Sequence, residues 1–225
     1  GRQIDTLRAV DIDDIVIITG YLSEMLALPG TRQVNNERWA KTNMVESLFC
    51  AEPLFSDDIL VSYSDIVYEP RVLEALLSSA HDISVVVDRK WRTYWELRFD
   101  DPLSDAESLS LNNEGCITGI GAPVTDISVI EAQYIGLMRF SRGGIDVLKR
   151  TRGLLGNVDR DWMAVRPLEM AYMTDLLMEM ILRGEKVHAV PVDSGWLEID
   201  TVQDYEDAAR MFADSTILQF FDPAA

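Results

Sequence analysis

Three acidic residues lie at the ends of two predicted strands, and their type and spacing suit a site for a divalent cation. Asp65 comes just after the apolar run at 59–63, so it lies at the carboxyl end of a strand, where open α/β sheets place their ligands. Glu198 and Asp200 are two residues apart at the end of another strand, so both carboxylates project to one face. Two adjacent carboxylates repel each other unless a proton or a cation neutralises them. The alternative is that Asp200 caps the helix beginning at Thr201 while Glu198 is solvated.

A second group of residues mixes aromatic and charged side chains between positions 88 and 98. In a helix, Trp91, Tyr94 and Trp95 share one face because they are spaced i, i+3, i+4. Such an aromatic face can hold an ammonium group, and neighbouring cations can hold a phosphate. Trp196 is a candidate of the same kind. The alternative is that these rings pack in the core.

The signatures of several other catalytic classes are absent from the sequence. It has no Gly-x-x-x-x-Gly-Lys phosphate loop, no Gly-x-Ser-x-Gly elbow and no His-Glu-x-x-His motif. The only histidines, His81 and His188, are far apart in the sequence, so histidine-based catalysis is not expected. Cys50 and Cys116 have no partner at metal-ligand spacing, which argues against a zinc site and a disulfide scaffold.

Composition and charge limit the classes of partner that are expected. The chain has 225 residues, and its 38 acidic and 20 basic residues give a net charge of -18. A surface of this charge repels polyanions, so nucleic acid is not an expected partner. A small anionic substrate would need a bound cation or a local basic cluster. No apolar stretch approaches the ~18 residues of a membrane span, and we expect a soluble, cytoplasmic protein.

The hydrophobic pattern alternates between strand and helix spacing, which predicts an α/β fold. Strands are predicted at 14–20, 59–63, 83–87, 107–111, 115–120, 131–140, 187–192 and 196–199, and helices at 2–10, 43–52, 70–80, 142–152, 168–183 and after Thr201. The β-branched run at 14–20 is typical of a strand buried on both faces of a parallel sheet. Turns between the middle strands indicate that part of the sheet is antiparallel. The basic segment at 150–167 is predicted to be a mobile loop.

Six short motifs occur in order along nearly the whole chain. They are Asp14-Ile-Val-Ile-Ile-Thr-Gly-Tyr21, Val34-Asn-Asn36, Lys41-Thr-Asn-Met44 with Ser47-Leu48, Ser64-Asp-Ile66, Gln133-Tyr-Ile-Gly136 and Trp196-Leu-Glu-Ile-Asp-Thr-Val202. Together they resemble the nucleotidylyltransferases, and more narrowly the bacterial cytidylyltransferases that act on phosphocholine and on phosphonates. The resemblance implies a single domain over 1–225 with a Rossmann-like nucleotidyltransferase fold, in which helices flank a mostly parallel mixed sheet.

The resemblance also implies an activity and a cofactor. The activity is Mg-dependent transfer of a nucleotidyl group, with CTP as the expected donor of CMP, to an acceptor similar to phosphocholine or aminoethylphosphonate, with release of pyrophosphate. Asp65, Glu198 and Asp200 resemble the family's magnesium ligands, and Asp65 and Asp200 are the implied catalytic residues.

The residues implied to bind substrate are less specific. Trp91, Trp95 and Trp196 are candidates for surrounding a cationic amine. Asn43, at the start of a predicted helix, is a candidate for binding the base, the ribose or the acceptor, with helix capping as the alternative.

The sequence departs from the family in two places. The family begins with a strand and a Gly-rich loop around the triphosphate, which this sequence lacks; we expect an omitted segment, because a missing central strand would leave unpaired backbone groups. Ser64 stands where relatives commonly have glycine. Alternative functions are a sugar-1-phosphate nucleotidylyltransferase, against which the tryptophans at 91–95 argue, and a noncatalytic nucleotide-binding relative. A homodimer is left open.

Overall fold

The computed structural model describes residues 1–155 and 167–224. Its helices are α1 (Arg2–Ala9), α2 (Met44–Cys50), α3 (Pro70–Leu77), α4 (Trp91–Arg98), α5 (Arg142–Leu155), α6 (Met173–Leu182) and α7 (Val202–Asp214). Its strands are β1 (Val16–Thr19), β2 (Arg32–Asn35), β3 (Ile59–Ser62), β4 (Ile66–Tyr68), β5 (Ile83–Asp88), β6 (Glu107–Leu111), β7 (Ile117–Pro123), β8 (Gln133–Phe140), β9 (His188–Val192) and β10 (Trp196–Glu198). The predicted elements are present. Helix α4 confirms the helix that was considered for the aromatic segment, and β2 and β4 were not predicted.

The largest sheet has four strands in the order β3-β8-β5-β9. Strand β8 runs antiparallel to both of its neighbours, and β5 and β9 are parallel. Three of the four strands therefore run in one direction, with β8 inserted among them. This is the predicted mixed sheet, but β3 and β5 are separated by β8 rather than hydrogen-bonded to each other.

Three two-stranded sheets lie beside the largest one. Strands β1 and β2 are parallel, whereas β4 pairs with β10, and β6 with β7, in antiparallel ladders. The expectation that the run at 14–20 is buried on both faces is wrong, because in β1 only Thr19 is buried. Within the described residues β1 pairs with β2 alone, and its other side chains are half-buried.

Helices cover both faces of the largest sheet. Side chains of β5 alternate between two hydrophobic clusters: Val86 belongs to the first, and Val85 and Val87 belong to the second. The first cluster includes residues of α1, α3, α4 and β10, and the second includes residues of α2, α5 and α6. The chain is therefore layered as helices, sheet and helices, as predicted.

Two sequence predictions concern long segments. No helix among the described residues has the length and apolar character needed to cross a membrane.

The segment at 150–167, predicted to be a loop, begins inside α5, which continues to Leu155. Its positions 156–166 lie outside the described residues.

The buried carboxylate of Asp88 joins the end of β5 to β10. Its Oδ1 accepts hydrogen bonds from the backbone N–H groups of Lys90 at 2.8 Å and Ser194 at 2.9 Å. Its Oδ2 accepts a hydrogen bond from the indole N–H of Trp196 at 2.9 Å. Asp88 is 2% exposed, so these three donors satisfy a carboxylate that has little contact with water. The bonds fix β10, and with it the residues that follow.

We expect Asp88→Asn to lower the free energy of unfolding by about 1–3 kcal/mol, because the amide group places a donor against another donor and leaves a buried N–H unsatisfied. Urea unfolding followed by far-UV circular dichroism measures the change. The control is Asp193→Asn, which removes an exposed partner of Arg89 and should cost less than about 1 kcal/mol. Equal losses in the two variants would contradict the role of Asp88.

Candidate active site

The carboxylates of Asp65, Glu198 and Asp200 converge. One oxygen of each lies within 4.8 Å of the others. The pairing of β4 with β10 produces this arrangement: Ile66 lies opposite Glu198, and the N–H of Ile199 donates to the carbonyl oxygen of Asp65 at 2.8 Å. Asp65 therefore lies opposite Ile199, the residue between Glu198 and Asp200.

The alternative explanation for Glu198 and Asp200 is wrong. Thr201 caps α7: its side-chain oxygen accepts a hydrogen bond from the N–H of Asp204 at 3.1 Å, and the Asp204 carboxylate accepts one from the N–H of Thr201 at 2.9 Å. The capping box leaves Asp200 without a capping role. Glu198 is not solvated either, since its side chain is 19% exposed.

Arg98 is the site residue that the sequence analysis missed. Its guanidinium contacts Glu198 at 2.5 Å, Asp200 at 2.8 Å and Asp204 at 3.2 Å, and its side chain is 5% exposed. A signal for it was present in the sequence, because position 98 continues the aromatic face of α4 by one helical turn. A charged residue on a buried face needs charged partners, and the sequence offers carboxylates.

Burial and mutual repulsion change the pKa values of these carboxyl groups. Burial, together with the charges of Asp200 and Asp65, raises the pKa of Glu198 to about 7 against the lowering effect of Arg98. Burial also raises the pKa of Asp65, as does the charge of Asp200. For Asp204, burial acts to raise the pKa, but hydrogen bonds, above all with Arg98, lower it overall. Asp65, Glu198, Asp200 and Asp204 therefore lie together with only the guanidinium of Arg98 to balance their charge. A further cation would be stabilised beside these carboxylates.

The donor set fits a hard divalent cation. Mg²⁺ binds carboxylate oxygens at 2.0–2.1 Å in octahedral geometry, so its ligand atoms lie at most about 4.2 Å apart. The oxygens of Asp65, Glu198 and Asp200 lie within 4.8 Å of one another, so side-chain movement can bring them to one ion. Each of the three residues can supply one oxygen, and nitrogen and sulfur ligands take no part in the cluster.

The three tryptophans that were predicted to surround the acceptor are buried. Trp91 and Trp95 are 3% exposed and Trp196 is 1% exposed. Trp95 lies with its ring centre 5.9 Å from those of Trp91 and Trp196, and its indole N–H donates to Asp105 at 3.1 Å. The core-packing alternative is correct, because the aromatic face of α4 is buried in the first hydrophobic cluster.

Asn43 is the N-cap of α2. Its side-chain oxygen accepts a hydrogen bond from the N–H of Met44 at 2.8 Å, and its own N–H donates to the carbonyl oxygen of Glu169 at 2.8 Å. The side chain is half-buried. The capping alternative is present in the structure, and the binding of base, ribose or acceptor by Asn43 stays a prediction.

Close packing explains the glycine of the Gln133-Tyr-Ile-Gly136 motif. Gly136 has φ of +79°, and a Cβ atom there would lie 2.5 Å from the ring of Tyr63. The Tyr63 ring also packs edge-on against Tyr134 with centroids 5.7 Å apart. Glycine at this position therefore lets Tyr63 pack against β8 just before Asp65.

Comparison with known proteins gives one strong match in sequence. The chain is 33% identical over 220 residues to the CTP:phosphoglutamine cytidylyltransferase of Campylobacter jejuni, and the alignment covers 91% of the chain and 84% of the relative. No family model matches.

Solved structures share the fold at lower sequence identity. The inositol-1-phosphate CTP transferase from T. maritima is 18% identical with a TM-score of 0.67, over 93% of this chain and 81% of that one. The CTP:phosphocholine cytidylyltransferase from Streptococcus pneumoniae is 18% identical with a TM-score of 0.65, over 93% and 83% of the two chains. These structures confirm the predicted fold, and the Campylobacter relative confirms the resemblance seen in the motifs. The chain therefore belongs to the nucleotidylyltransferase superfamily, close to the cytidylyltransferases, and is an enzyme of that class.

Proposed function

We propose that this enzyme transfers CMP from CTP to a small phosphorylated acceptor, releases pyrophosphate and uses Mg²⁺ held by Asp65, Glu198 and Asp200. The observation that carries the proposal is the convergence of these carboxylates within 4.8 Å in a chain 33% identical to a CTP-dependent cytidylyltransferase. The proposal of cytidine as the base rests on this relative, because the two solved structures named for CTP are 18% identical and show the fold alone.

For the acceptor, we propose a phosphorylated glutamine-like molecule ahead of phosphocholine or aminoethylphosphonate. The relative that matches over 91% of this chain acts on phosphoglutamine. The case for a quaternary or primary amine depended on Trp91, Trp95 and Trp196, which are buried in the core.

The reaction needs charge neutralisation and positioning more than covalent help from side chains. An ionised oxygen of the acceptor phosphate attacks the α-phosphorus of CTP, a new P–O bond forms, and the bond to pyrophosphate breaks. No general base is required, because the attacking oxygen carries no proton. When bound, Mg²⁺ supplies the positive charge that reduces repulsion between the two anions.

The residues of the chain have separate roles in this scheme. Asp65, Glu198 and Asp200 bind the cation through their carboxylates. The ladder between β4 and β10 keeps Asp65 next to the other two, so the site is formed by backbone pairing before any substrate binds.

The alternatives from the sequence have less support. A glucose-1-phosphate thymidylyltransferase from Bacillus anthracis shares the fold with a TM-score of 0.65, but it is 13% identical and thus shows the fold alone. Burial of the tryptophans removes the argument against a sugar acceptor without supplying one in favour. The noncatalytic alternative does not hold, since the chain belongs to a family of enzymes.

The experiment that tests the function is pyrophosphate release by the full-length protein, measured with each of the four NTPs against phosphoglutamine, phosphocholine, aminoethylphosphonate and glucose-1-phosphate. We expect release with CTP and phosphoglutamine, loss of release with EDTA, and recovery when Mg²⁺ is restored in excess. Release that persists in EDTA would contradict the metal requirement. A clear preference for UTP or dTTP with the sugar phosphate would favour the alternative function.

We expect Asp65→Asn and Asp200→Asn each to lower kcat by at least about a hundredfold, because each variant loses an anionic ligand of the proposed cation. Circular dichroism should show a folded protein in both cases. Glu206→Gln is the matched control, since Glu206 is exposed on α7, and its activity should equal that of the wild type. A fully active Asp200→Asn enzyme would remove the metal assignment.

A further inference from the structure

Arg98 lies between the carboxylates of the site and the aromatic core beneath them. It is the last residue of α4, and its side chain is 5% exposed. The guanidinium carbon lies 5.5 Å from the ring centre of Tyr94, 5.6 Å from that of Trp95 and 5.0 Å from that of Phe99. These rings hold the planar guanidinium in place by packing and by cation–π attraction.

The guanidinium contacts only one oxygen of each of the two carboxylates on the β10 side of the site. Nη1 donates to Oε2 of Glu198 at 2.5 Å, and Nη2 donates to Oδ2 of Asp200 at 2.8 Å. Within the described residues, Oε1 of Glu198 and Oδ1 of Asp200 accept no hydrogen bond. One oxygen of each carboxylate is thus fixed while the other stays available.

Other contacts keep this arrangement rigid. Nε of Arg98 donates to Oδ1 of Asp204 at 3.2 Å, and Asp204 is itself fixed by the capping box of α7. The Tyr94 hydroxyl accepts a hydrogen bond from the N–H of Glu198 at 3.0 Å and donates to its carbonyl oxygen at 3.1 Å. Both the guanidinium and the backbone of Glu198 are therefore anchored to α4.

We propose that Arg98 is a positioning residue for the metal site: it orients Glu198 and Asp200 so that their other oxygens, with Asp65, bind one divalent cation. The inference rests on the proposed function, because that function supplies the cation. A planar fork with two parallel donors holds two carboxylates at a fixed separation, and a lysine ammonium, which is a compact point charge, does not. Groups that orient metal ligands commonly change metal affinity by 10–100-fold when they are replaced.

The test uses the charge-conserving variant Arg98→Lys, which isolates orientation from electrostatics. Mn²⁺ is the probe: its binding to the purified protein in the absence of nucleotide is measured from the free-Mn²⁺ signal in electron paramagnetic resonance. We expect the Kd for Mn²⁺ to rise by about tenfold or more in Arg98→Lys. The control Arg92→Lys lies on the same helix in an exposed pair with Glu96, and its Kd should equal that of the wild type.

The results distinguish failure of this inference alone from failure of the metal site on which it rests. Unchanged Mn²⁺ affinity in a folded Arg98→Lys protein would overturn the positioning role and leave the proposed function in place. Wild-type protein that binds no Mn²⁺, or Asp200→Asn protein that binds it as tightly as the wild type, would overturn both the metal site and this inference.

A second variant covers failure of Arg98→Lys to fold. Asp204→Asn removes the charge that anchors Nε of Arg98 but leaves the three proposed ligands intact. We expect it to raise the Kd for Mn²⁺ by a smaller factor of about threefold. An unchanged Kd in this variant would count against the inference, because the anchor would then have no effect on the ligands.

Discussion

The antiparallel pairing of β4 with β10 is the constraint on which the site depends. It involves three residues on each strand and is extended by the hydrogen bond from Ile199 to Asp65. This pairing brings together carboxylates from positions that are more than a hundred residues apart in the sequence. Their repulsion opposes the pairing, so the fold must supply positive charge at the same place, and Arg98 supplies it.

The first hydrophobic cluster holds the elements that carry the charged groups of the site. The aromatic face of α4 packs against β10 in the first hydrophobic cluster, and the same helix ends at Arg98. The bond from the Trp196 indole to Asp88 ties the start of β10 to the end of β5. The tryptophans thus contribute to the site by fixing the strand and the helix that carry its charged groups.

Sequence patterns predicted the parts of the site that follow from local spacing. The two-residue step between Glu198 and Asp200 on a strand and the position of Asp65 after β3 were sufficient to make these carboxylates candidates, and the resemblance to the nucleotidylyltransferases favoured them over the capping alternative. They were not sufficient for Arg98 or for the location of the tryptophans, because the spacing at 91–98 suits a buried helix face and an aromatic pocket equally well. Strand β4 was missed because three residues carry too little alternation to be recognised.

Because the chain has a net charge of -18, the binding of an anionic nucleotide requires positive charge close to its phosphates. Arg98 does not supply that charge directly, because its side chain is 5% exposed and its donors are engaged by Glu198, Asp200 and Asp204. Its charge lets the carboxylates lie close together, and in the proposed function their remaining negative charge attracts a divalent cation. In the proposed function, the positive charge that meets the phosphates is therefore carried by that cation.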